Sequence, residues 1–89
     1  MTEQQLIDLG FERNDVSPEE SGYDKPYYFY DYDICTSKGE KTGLSFISSA
    51  NDEVKDGNWS VDIFDYDFLR ISDIEDLKTL ITILKKVAG

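Results

Sequence analysis

The sequence predicts an α+β domain in two layers. A meander of three to four antiparallel strands is flanked by a short N-terminal helix and a long C-terminal amphipathic helix. Three observations carry this. Apolar residues recur at helical spacing from Ile74 to Val87, the stretch Tyr27 to Cys35 reads YYFYDYDIC, and the segments between them are short and end in polar turns. Eighty-nine residues, 39% of them hydrophobic, make a single domain, 1–89, with a modest core.

Thr2 with Gln5 has the form of a capping box. Leu6, Ile7 and Leu9 follow, and Gly10 supplies the stop. A helix this short holds only when packed. Phe11 to Asp15 reads as a short first strand. Val16 to Pro26, with two prolines, Gly22 and three acids, reads as a loop with one helical turn at Ser17 to Glu20.

Tyr27 to Thr36 is the clearest strand, because aromatic and branched side chains suit a pleated surface. Ser37 to Lys41 is a turn, Gly43 to Ser49 a strand, Asn51 to Asn58 a charged turn ending in Asp56-Gly57, and Trp59 to Asp65 a further strand. Ser72-Asp73-Ile74-Glu75 has the form of a second capping box. It opens a helix with Ile74, Leu77, Leu80, Ile81, Leu84 and Val87 on one stripe and Ile83 off it. Glu75 and Asp76 at its start and Lys85 and Lys86 at its end match the helix dipole. The stripe is read as the core face that closes the sheet, in preference to a ligand for a partner's groove.

Side chains alternate across a strand. Tyr28, Tyr30, Tyr32 and Ile34 therefore form one face of the aromatic strand, and Tyr27, Phe29, Asp31, Asp33 and Cys35 the other. Carboxylates are rarely buried unpaired, so the first set faces the helices and the second faces outward. By the same rule Trp59, Val61 and Ile63 point in, while Asp62, Phe64 and Tyr66 point out. Aromatics set among charges are typical of protein-binding surfaces, and the candidate contact residues are Phe29, Asp31, Asp33, Asp62, Phe64 and Tyr66. Two other uses compete: cover by the loops at 16–26 or 51–58, and pairing of two copies in a homodimer.

Nineteen acidic residues against nine basic ones leave a net charge of −10, spread from Glu3 to Asp76. Such a field repels nucleic-acid backbones and anionic membranes and draws basic proteins, so a basic protein partner is expected, with no direct nucleic acid and no membrane. The segment MTEQQLIDLG lacks the regions of a signal peptide, and no apolar run approaches the roughly 20 residues of a membrane span. One cysteine forms no internal disulfide, and together these features predict a cytoplasmic protein.

The chemistry of a catalyst is sparse. There is no histidine, Cys35 lies beside acids that disfavour a thiolate, and no Gly-rich phosphate loop is present. The expectation is a protein that is not an enzyme and takes no cofactor. Asp-Tyr-Asp occurs twice, at Asp31–Asp33 and Asp65–Asp67. Twelve aspartates in this length give about 1.6 such pairs by chance, so a hard-cation site there is a third reading only.

Length, acidity and layout resemble the small proteins encoded by bacteriophages and prophages. The features are Leu9-Gly10-Phe11 after a short helix, the strand Tyr27 to Tyr30, the strand Asn58 to Phe64 (NWSVDIF) and the helix Glu75 to Lys86 (EDLKTLITILKK). The resemblance implies binding to and blocking of a host enzyme. Acidic members of this kind, anti-CRISPR inhibitors among them, occupy basic grooves meant for nucleic acid, and toxin-neutralising immunity proteins share the same features.

Overall fold

The computed structural model describes residues 1–22, 24–63 and 66–88; Tyr23, Phe64, Asp65 and Gly89 lie outside them. The elements run α1 (Glu3–Leu9), β1 (Glu12–Val16), α2 (Pro18–Ser21), β2 (Tyr27–Cys35), β3 (Lys41–Ser48), a 3-10 turn (Asn51–Glu53), β4 (Val61–Ile63), β5 (Tyr66–Ile71) and α3 (Ile74–Ala88). All neighbouring strands are antiparallel, in the order β1-β2-β3-β4-β5. The α+β class and the two flanking helices agree with expectation. The strand count does not, since five strands form among the described residues where three to four were expected. The additional strand is β5, which contains Asp67 and Arg70 and follows β4 without the Gly, Pro or Asn that marks most turns.

Local chemistry explains the element ends. Thr2 Oγ1 accepts from Gln5 N–H at 3.2 Å and Gln5 Oε1 accepts from Thr2 N–H at 2.8 Å, closing the capping box of α1. Gly10 then adopts φ 103°, a left-handed conformation that glycine takes readily. At the start of α3 the cap is Asp73, not Ser72. Its Oδ1 accepts from Glu75 N–H at 2.7 Å and Asp76 N–H at 3.4 Å, placing a carboxylate at the positive end of the dipole. Asp56 (φ 56°) and Gly57 (φ 72°) supply the two left-handed positions of a tight hairpin between Lys55 and Asn58.

The core lies between the sheet and α1 and α3. Phe46, Leu6, Ile34, Leu77 and Val61 are fully buried, with Tyr30, Phe11, Trp59 and Ile81 packed around them. The expected inward residues behave as such: Tyr30 and Ile34 are buried, and Tyr28, Tyr32 and Ile63 pack against the cluster. The last position of the α3 stripe differs from expectation. Val87 is 74% exposed and Ala88 packs inward instead, while Ile83 is exposed as expected. No helix among the described residues is long and apolar enough to cross a membrane.

Tyr30 joins the layers. Its ring meets Trp59 edge-on, with centroids 5.6 Å apart, and its hydroxyl donates to Glu3 Oε2 of α1 at 2.5 Å. Burial first, and this bond second, push the phenol up to about 12.

Candidate functional site: the outer face of the sheet

Since the core gathers on one side of the sheet, strand register defines the other. Glu12 pairs with Asp31, Asp31 with Ile47, Ile47 with Asp62 and Asp62 with Arg70. Directly opposed residues in antiparallel strands share a face, so these five side chains form one row across all five strands. Phe29, half-buried, lies two residues before Asp31, and Asp33 lies two beyond it. An apolar side chain, Ile47, thus sits between two carboxylates, with an aromatic ring beside the row.

The expected residues divide. Phe29, Asp31, Asp33 and Asp62 come together on this face. Phe64 lies outside the described residues. Tyr66 is half exposed and pairs with Ile63 across a register irregularity at Asp62–Ile63, in the same strand as Arg70 of the outer row.

Several acids are held by neighbours. Asn14 Nδ2 donates to Asp31 Oδ1 at 2.8 Å, Arg70 Nε reaches Asp62 Oδ1 at 3.2 Å, and Lys41 Nζ lies 3.4 Å from Asp33 Oδ2. The ion pairs are exposed enough to contribute little to stability, but they fix the carboxylates in direction. Among the described residues, no cation lies within ion-pair distance of Glu12, which instead opposes Asp31. Ile47, Glu12, Asn14 and Arg70 escaped the sequence reading. Ile47 is legible as the outward position next to Phe46, but its two acidic neighbours are 16 and 15 residues away in the chain.

Like charges opposed across a strand pair destabilise it. Replacing Glu12→Lys is therefore expected to raise unfolding free energy by about 0.5 kcal/mol, or roughly 2–4 °C in Tm. Thermal denaturation followed by circular dichroism measures this. An unchanged or lower Tm would show that the two carboxylates do not oppose each other.

Among the described residues, no group of three His, Cys, Asp or Glu side chains stands close enough to hold a metal ion. Asp65 of the second Asp-Tyr-Asp lies outside those residues. The outer face combines aromatic and aliphatic area with oriented carboxylates. A scan against protein-family models and searches of curated proteins and of solved structures find no match to this chain.

Proposed function

We propose that the chain is a non-enzymatic protein-binding module that presents the outer face of its sheet to a basic partner. The reading extends to inhibition of a nucleic-acid-handling protein, the role implied by the resemblance to small acidic phage proteins. The observation that carries it is the row Glu12–Asp31–Ile47–Asp62 beside Phe29, on the side of the sheet away from the α1–α3 core. Phe29 and Ile47 offer desolvation on contact, and the carboxylates offer steering and register. A net charge of −10 extends that steering over the whole molecule.

Capture from a lysate of the native host by tagged protein, at about 50 mM and about 300 mM salt, tests the proposal. The expected result is one basic protein, retained at low salt, weakened at high salt, and lost when Phe29→Ser and Asp62→Asn are combined. Equal capture by that variant, with its fold intact, would remove the outer face from the reading.

Self-association is a second reading, favoured by β5, an edge strand carrying the exposed Leu69. Net charge opposes it. Light scattering during size exclusion decides: a monomer at micromolar concentration removes the dimer.

A further inference from the structure

The partner strand of β2 stops short. β1 pairs with β2 only from Tyr27 to Asp31, whereas β2 runs on to Cys35. On the opposite edge β3 pairs with Asp31, Tyr32, Asp33 and Cys35, so the uncovered stretch remains part of the sheet. The cause of the gap lies in α1. Gly10 and Phe11 direct their N–H groups back to Ile7 and Leu6 carbonyls at 3.0 and 3.1 Å, and the left-handed Gly10 turns the chain off the sheet before it can pair further.

The backbone of that stretch has a defined direction. Tyr28 and Tyr30 N–H groups donate on the β3 side, to Asn51 Oδ1 and Ser48 Oγ, both at 2.8 Å. Ile34 C=O accepts there from Thr42 Oγ1 at 2.8 Å. Backbone groups alternate between the two edges of a strand, so Asp33 N–H and C=O point into the gap. Among the described hydrogen bonds, its carbonyl receives only a 4.0 Å thiol contact from Cys35.

A groove of about 640 Å³ occupies this position. Glu12, Asp31 and Asp33 line it from the outer face with one cation, Lys41, paired to Asp33, which leaves two acids in excess; Tyr32 lines it from the inner face, with Lys85 Nζ 5.1 Å from the Tyr32 ring centre.

We propose that this gap is a strand-addition site, in which an extended basic segment of the partner continues the line of β1 along Tyr32–Cys35. The inference rests on the basic-partner reading above and specifies how that partner is held. Four uncovered residues give about 13 Å of edge, enough for a four-residue strand. Outward side chains of the added strand face Glu12, Asp31 and Asp33, which selects lysine or arginine at alternate positions. Inward ones rest on the Tyr32 ring beside Lys85, which selects uncharged residues. A second copy of this chain is the wrong occupant, since it carries a charge of −10 itself. The outer edge of β1 does not compete, because its Arg13–Asp15 pair at 2.9 Å leaves it studded with charge.

The test titrates the full, ¹⁵N-labelled chain with acetyl-Lys-Val-Lys-Val-Lys-Val-amide. In an added strand the lysines share the face of Asp33, so their own amides point at β2. N-methylation of the three lysine amides therefore removes the ladder while keeping the charge. Expected are amide shifts centred on Tyr32 to Ser37, with at least about tenfold weaker binding by the N-methylated peptide and by the isomer Lys-Lys-Lys-Val-Val-Val. Equal affinity for the N-methylated peptide, or shifts centred on Ile47 and Asp62, would overturn strand addition and leave the acidic face standing. No shift with any peptide at about 1 mM would overturn it as well, while capture of a basic protein from lysate remains an independent result.

Discussion

Phe46→Ala is expected to lower the unfolding free energy by about 4 kcal/mol. Phe46 is 0% exposed and sits on β3, the middle strand, between Tyr32 and Ile63. Its ring fills the space where the sheet meets the helices, and surrounding strands cannot collapse into the cavity without losing their own pairing. A domain of this length has about 4–13 kcal/mol in total, so the variant is expected to be partly unfolded at ambient temperature or to melt at least 15 °C lower, by roughly 4–8 °C per kcal/mol. Ile83→Ala on the exposed side of α3 serves as the control, with a change within about 0.5 kcal/mol. Chemical denaturation of both variants checks the pair; a loss below about 1 kcal/mol for Phe46→Ala would contradict the described core.

The second large effect concerns Tyr30→Phe. The variant keeps the ring contacts with Trp59 and Tyr28 but loses the bond to Glu3, a loss of about 1.5–2 kcal/mol for a hydrogen bond to a charged group. It also changes the dependence on pH. In the unfolded chain the phenol ionises at its ordinary value of 10.0, and in the fold at about 12. Below pH 10.0 both states hold the proton and this contribution is complete. Between those values the unfolded chain has released a proton that the fold retains, so stability falls as pH rises. Other tyrosines also titrate there, so the informative quantity is the difference between wild type and Tyr30→Phe. That difference is expected to shrink from pH 9 to 12, and a constant difference would separate Tyr30 from the alkaline loss.

Much of this architecture is legible before any coordinates. Thr2 and Gln5 fix the start of α1, the apolar spacing of Leu77 and Ile81 fixes the buried face of α3, and simple alternation assigns Tyr30 and Ile34 inward and Asp31 outward. These features depend on neighbours within a turn or on a period of two. What escapes depends on distant partners. β5 is held by pairing with β4 despite its own interruptions, and Val87 faces outward because Ala88, four residues after Leu84, takes the core position of the last turn. The row Glu12–Asp31–Ile47–Asp62–Arg70 joins residues from five strands, and no local pattern encodes it. The gap beside Tyr32–Cys35 is hidden for the same reason. It follows from where α1 ends relative to β2, a relation that exists only once the two are packed.

These features bear on function together. The outer face and the free end of β2 are contiguous, sharing Asp31 and Asp33, so one partner can lie across the carboxylate row while extending a strand into the groove. In the proposed role, charge would steer the encounter, and the apolar positions Phe29 and Ile47 would slow dissociation.

The most direct measurement is the footprint of the captured basic partner on the ¹⁵N-labelled chain, read as amide shifts and line broadening at low and moderate salt. The predicted footprint covers Phe29, Asp31, Ile47 and Asp62, runs into Tyr32–Cys35, and fades with salt. A footprint centred on the exposed Ile83 and Val87 of α3, with the outer face unchanged, would contradict it.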